Sequence, residues 1–125
     1  MNKDNRPVNL DIGTIKLPIT AYASISHRIS GVMLVVASFL LLWALDTSLS
    51  GAEGFEVVAS LISNPISKII VWGISIGLIY HSCAGVKHLI MDMGFGETMS
   101  GGVLGARIVI ALTAVGAVLS GVALW

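Results

Sequence analysis

A chain of 125 residues that is 55% hydrophobic and only 11% charged cannot cover a water-facing surface with polar groups, since a soluble domain carries about 25% charged residues. Mean hydropathy is +0.91, which points to a lipid bilayer as the surroundings. The formal net charge of +0 argues against a nucleic-acid partner, and the single cysteine, Cys83, excludes an internal disulfide and a thiolate zinc site.

The first eighteen residues, MNKDNRPVNLDIGTIKLP, mix acids with bases and have no apolar core. They match neither a signal peptide nor an Arg-rich transit sequence, and segment 1–20 is expected on the cytoplasmic side. Pro18 precedes the first apolar segment, where a helix-start proline is tolerated. Three charge-free runs follow, Ile29 to Leu45, Ile69 to Val86 and Ile108 to Trp125. Each approaches the ~17–25 residues that a helix needs to cross a hydrocarbon core of about 30 Å. The runs do not alternate polar and apolar residues as barrel strands do, whereas helices satisfy every backbone polar group within the span. The fold class expected is therefore all-α: one integral membrane domain over 1–125, with transmembrane helices at about 22–48, 66–92 and 104–125.

The first connector, DTSLSGAEGFEVVASLISNP, is polar to mildly amphipathic, and Asn64-Pro65 marks the start of the second helix. The second connector, GFGETMSGG, is glycine-rich and predicts a loop. Lysine and arginine set orientation. Lys3, Arg6, Lys16 and Arg28 lie on the N-terminal side, and Lys87 and Arg107 flank the second connector. The first connector holds only Lys68, beside Asp46, Glu53 and Glu56. The N-terminus and second connector are expected on the cytoplasmic side, with the first connector and Trp125 on the far side.

Polar residues interrupt the apolar helices at one end. Ser24, His27, Arg28 and Gly31 are spaced i, i+3, i+4, i+7 and form one stripe of the first helix. His81, His88 and Asp92 share a stripe of the second helix with Gly73, Gly77, Ala84 and Gly85. With the helices antiparallel, both clusters fall in the cytoplasmic half. The small residues predict a recess on either side of the His81 imidazole, able to hold a flat ligand. The Gly77 carbonyl, at i−4, is the expected acceptor for the other ring N–H, a bond that fixes a tautomer. Plainer readings stand beside these. Gly73 and Gly77 can simply admit a close helix neighbour. Lys87, His88 and Asp92 can be interfacial residues reaching the headgroups. Ser24 can bond its own backbone, Arg28 can serve as a topology anchor, and Cys83 is a small apolar filler. His81 lies between one and two helical turns deeper than Lys87, and ionisable groups at depth face a bundle interior and serve a function. A neutral imidazole there suits a metal ligand. It is a haem ligand, a proton relay or a packed polar residue, and periodicity does not choose among them.

Two signatures do choose. Arg6, Pro7 and Val8, then Ser24, Ile25, His27, Arg28, Ser30 and Gly31, resemble the opening of the cytochrome b subunit family of succinate dehydrogenase, of proteobacterial type. His81, Gly85, Lys87, His88 and Asp92 match its second signature, His-x3-Gly-x-[Arg/Lys]-His-x3-Asp. The resemblance implies a membrane anchor in the bacterial inner membrane, with no residue of this chain oxidising succinate. It implies haem b ligated by His81 and by a histidine of a second anchor subunit. It also implies His27, Arg28 and His88 near the haem propionates, and a ubiquinone site built from Ser24, Ile25 and Arg28. Asp92 has a place on a proton path. The implied partners are the second anchor subunit, an iron–sulfur subunit, a flavoprotein and membrane lipid. The alternatives are a fumarate reductase anchor working in reverse, a haem-free structural anchor, and a small proton-relay subunit using His81 and Asp92.

Overall fold

The computed structural model describes residues 13–125. The Arg6-Pro7-Val8 signature and most of segment 1–20 lie outside them. Four helices follow in chain order: α1 (Ile19–Leu49), α2 (Ala52–Ser63), α3 (Pro65–Asp92) and α4 (Met99–Leu124). No strand occurs among the described residues. Three of the helices, α1, α3 and α4, are long and apolar enough to cross a membrane. The all-α class with three spans is therefore found. At 1.5 Å per residue these helices run roughly 40–47 Å, so each overshoots a ~30 Å hydrocarbon core at its ends.

That overshoot moves the boundaries. Pro18 ends the preceding extended segment at φ −68°, ψ 158°, and its carbonyl accepts from the Ala21 and Tyr22 amides at 2.9 and 3.3 Å. α1 consequently begins at Ile19 rather than near 22. Asn64 caps α3 by accepting from the Ile66 amide at 2.9 Å, with Pro65 inside the first turn. Thr98 caps α4 through the Gly101 amide at 3.1 Å, so α4 starts at Met99 rather than near 104. The expected glycine loop is thus only its first half. Gly94 and Gly96 take the left-handed backbone, at φ 89° and 76°. Gly102 is instead buried in α4, where a Cβ would sit 3.2 Å from Thr20 Cγ2 of α1.

The first connector also differs from expectation, because most of it is the helix α2. Gly51, at φ 141° and ψ −176°, makes the corner after α1 in a conformation open essentially to glycine. α2 then packs back on the end of α1 and the start of α3 with Val58 as its buried residue. Phe55, Val58 and Ile62 repeat at helical spacing, so the amphipathic character noted in the sequence is that of a helix.

The core is made of small side chains. Among the described residues the buried apolar ones are Ala37, Val58, Ala84, Ala106 and Val109, and large apolar groups cover the outside. This is the pattern for helices packed in lipid, where close approach replaces hydrophobic exclusion from water. Glycines of α4 admit α3: Gly105 lies against the Lys87 stem, Gly116 against Ile79, and Gly121 against Trp72. The Trp72 indole donates to the Ala117 carbonyl at 2.8 Å, and the Tyr80 hydroxyl donates to the Ala23 carbonyl of α1 at 2.8 Å. These two bonds fix the register of α3 against both neighbours. Ala106 is 0% exposed. Ala106→Leu is expected to force α4 outward at a cost of about 1–3 kcal/mol. It is read as a lowered thermal midpoint of the purified assembly, with Leu112→Ala on the exposed face as the neutral comparison.

Candidate functional site

The chain contains three histidines, and the fold brings them together. His27, on the third turn of α1, stacks on His81 of α3 with ring centroids 4.2 Å apart and planes 13° from parallel. His88, two turns beyond His81, tilts against His27 at 5.2 Å. Contact between the N-terminal part of α1 and the C-terminal part of α3 requires the two helices to run antiparallel, as expected.

His81 is held through one ring nitrogen. Its Nδ1 lies 3.0 Å from the Ser30 hydroxyl and 3.2 Å from the His27 carbonyl. The expected partner, the Gly77 carbonyl of its own helix, is not used. The reason is that α1 offers two better-aimed oxygens across the interface. Nε2 of His81 has no hydrogen-bond partner among the described residues and is not sealed from its surroundings. Nε2 of His27 is different, being fully buried without a partner. It faces the α3 backbone, 3.7 Å from where a Cβ on Gly85 would stand.

The recess around His81 is one-sided. Gly85, on the side toward the helix end, is covered by His27 at 3.7 Å, and Ala84 is buried. At Gly73 and Gly77 an added Cβ would meet nothing within 4 Å. The open ground lies on the Gly77 side only, since α1 fills the other. Gly73 and Gly77 therefore do not serve packing within the described chain. Gly31 does: a Cβ there would come 3.1 Å from Cε1 of His81.

The α1 stripe spans enough arc to be divided by the helix contact. His27 and Gly31 face α3, Ser24 is half-buried, and Arg28 and Ile25 are exposed. Arg28 makes no ion pair or hydrogen bond among the described residues, so the chain by itself does not join it to the histidines. Asp92 ends α3 and is exposed. Lys87 turns to the opposite face, where with Cys83, Val86, Ile90 and Leu104 it lines a groove of about 570 Å³ between α3 and α4. None of the residues singled out as ligands of haem or quinone lines it. Ser30 was visible in the sequence only as part of a signature. Its position three residues after His27 is the one signal that pointed to its hydrogen bonds.

Among the described residues no group of three or more His, Cys, Asp or Glu could hold a bare metal ion. A metal at His81 would need further ligands from outside the described residues.

Comparisons with known proteins show the family. The family model described as succinate dehydrogenase/fumarate reductase transmembrane subunit matches residues 2–122. The chain is similar to the succinate dehydrogenase cytochrome b556 subunit of Coxiella burnetii, 36% identical over 121 residues that cover 96% of this chain and 97% of that one. It is also similar to the cytochrome b556 subunit of Paracoccus denitrificans, with 32% identity covering 77% of this chain and 74% of the relative. The cytochrome b560 subunit of Reclinomonas americana is 34% identical, covering 73% and 67%.

Proposed function

Because the chain belongs to the succinate dehydrogenase/fumarate reductase transmembrane subunit family, we propose that it is the cytochrome b anchor of a succinate:ubiquinone oxidoreductase. In this role it holds haem b and forms part of the ubiquinone-reduction site. The relatives reported above carry the succinate dehydrogenase name, which favours the succinate-oxidising direction over fumarate reduction.

The observation that carries the haem assignment is the seating of His81, whose Nδ1 is engaged by α1 while Nε2 has no partner among the described residues. Ligating imidazoles are commonly anchored this way through the nitrogen that does not bind metal. Around that nitrogen the residues fit a haem. Gly73 and Gly77 leave the helix surface bare on one side, and the His27 ring, stacked on His81, would stand near a propionate. His88 sits within reach of His27. Haem b, when bound, supplies a one-electron store beside the quinone. A second histidine ligand would come from another anchor subunit, since His27 is stacked on His81 and His88 is tilted against His27.

Ser24 and Arg28, one turn apart on α1, provide hydrogen-bond donors for the quinone carbonyl, and Ile25 provides apolar surface. Ile25 and Arg28 are exposed in the chain alone, so the remaining walls of the slot belong to partner subunits. The distribution of Lys and Arg puts the N-terminus, both clusters and the 93–98 connector on the cytoplasmic side, with Trp125 periplasmic. Asp92, at the cytoplasmic end of α3, stands where protons enter. Electrons arrive from succinate through a flavoprotein and an iron–sulfur subunit docked on that face.

Purification through a tag on this chain tests the reading. The expected result is co-isolation of a second small anchor, an iron–sulfur subunit and a flavoprotein, with a low-spin haem b spectrum on reduction. Recovery of a monomeric chain, or of a complex free of haem, overturns it.

A further inference from the structure

We propose that Ser30 is a positioning residue for His81, fixing both the tautomer and the electron density of the ring; the inference rests on the haem reading above. Ser30 is 8% exposed, the one polar side chain among the described residues that is buried in the bundle. Its Oγ lies 2.8 Å from the His27 carbonyl and 3.0 Å from His81 Nδ1. A carbonyl only accepts, so the single hydroxyl proton goes to His27. The oxygen that remains can only accept from His81, and Nδ1 must then carry the proton. The His27 carbonyl, itself 3.2 Å from Nδ1, makes the same demand. A ring with its proton on Nε2 would turn a lone pair toward two oxygens at once. The arrangement therefore leaves the Nε2 lone pair as the only one the ring can offer.

Neighbouring positions complete the seat. Gly31 brings α1 close enough that a Cβ would lie 3.1 Å from Cε1 of the ring. The ring cannot slide along α1 without losing one oxygen, and stacking on His27 at 4.2 Å limits its tilt. One acceptor is backbone and survives any substitution at 27, so Ser30 is the part of the seat that mutation can remove.

The chemical consequence follows from polarisation. An acceptor on Nδ1–H pushes electron density into the ring and raises its basicity as a ligand. A more electron-rich imidazole favours the oxidised iron, so the Ser30 contact holds the haem potential down. Loss of the hydroxyl removes one of two acceptors and raises the potential.

The test uses the assembled complex with Ser30→Ala, Ser30→Thr and His81→Leu, read by haem redox titration and by the low-spin ferric resonance. Ser30→Ala is expected to retain haem with a midpoint potential shifted upward and an altered resonance, while Ser30→Thr, which keeps a hydroxyl, stays near the parent. Haem loss in Ser30→Ala with retention in Ser30→Thr also supports the role. An unchanged potential and resonance in Ser30→Ala, or equal loss of haem in both variants, overturns it. The His81→Leu arm separates the two ideas: a low-spin haem surviving there refutes the ligand assignment itself, whatever Ser30 does.

Discussion

His81→Leu is expected to abolish the low-spin haem b spectrum of the assembled complex, and His81→Tyr to abolish or alter it. Leucine has no lone pair to offer the iron, and neither of the chain's other histidines can replace it without leaving the cluster. His27 has its ring stacked and its Nε2 buried, and His88 is almost two turns farther along α3. The substitution costs the fold little. Leucine is similar in bulk, and the Ser30 hydroxyl keeps its bond to the His27 carbonyl. The two contacts to Nδ1, each worth about 0.5–1.5 kcal/mol, and the stack on His27 are lost. The Tyr80 bond to Ala23 and the Trp72 bond to Ala117 still hold the helices in register. Loss of haem with four subunits still co-purifying is thus the expected pattern. Quinone reduction can persist in that complex, because electrons can pass from the iron–sulfur subunit to the quinone directly. A parent-like low-spin spectrum with His81 absent refutes the assignment.

The three spans were legible because lipid imposes a simple rule, that a crossing helix has a long charge-free run. Their ends were less so. α1 and α4 extend beyond the runs by turns whose start is set by Pro18 and Thr98, local capping events that hydropathy does not register. α2 was legible in part, since Phe55, Val58 and Ile62 are spaced for a helix, but its polar neighbours hid it within a connector. The polar stripes were legible as stripes. What one helix cannot reveal is its rotation against the next. Spacing within α3 nominated the Gly77 carbonyl as the partner of His81, because a partner at i−4 can be counted along the chain. The oxygens that hold the ring belong to residues 51 and 54 positions away, and no periodicity reaches them. The same rotation covers Gly85, leaves Gly73 and Gly77 bare, and parts Arg28 from His27, although the sequence gives all of them equal standing.

That parting of Arg28 from the cluster makes its substitution informative. Arg28→Leu is expected to reduce ubiquinone reduction about a hundredfold, the ~3 kcal/mol typical of losing a group aimed at developing negative charge. Ser24→Ala is expected to cost less, about tenfold, in line with one hydrogen bond of about 1–1.5 kcal/mol. Succinate oxidation with an artificial acceptor at the flavin level is expected to stay near the parent in both. Arg28 is exposed and has no ion pair or hydrogen bond among the described residues, so its loss breaks no internal contact of α1. A selective defect in quinone reduction then reports on the site and not on folding of this chain. Haem content is measured on the same preparations, because an arginine can also clamp a propionate through two parallel bonds. Equal loss of both activities would instead mark failed docking of the soluble subunits. Ubiquinone reduction at the parent rate in a fully assembled Arg28→Leu complex places the quinone on other residues, and the flank of α1 formed by half-buried Ser24 and exposed Ile25 and Arg28 is then a surface for a partner helix.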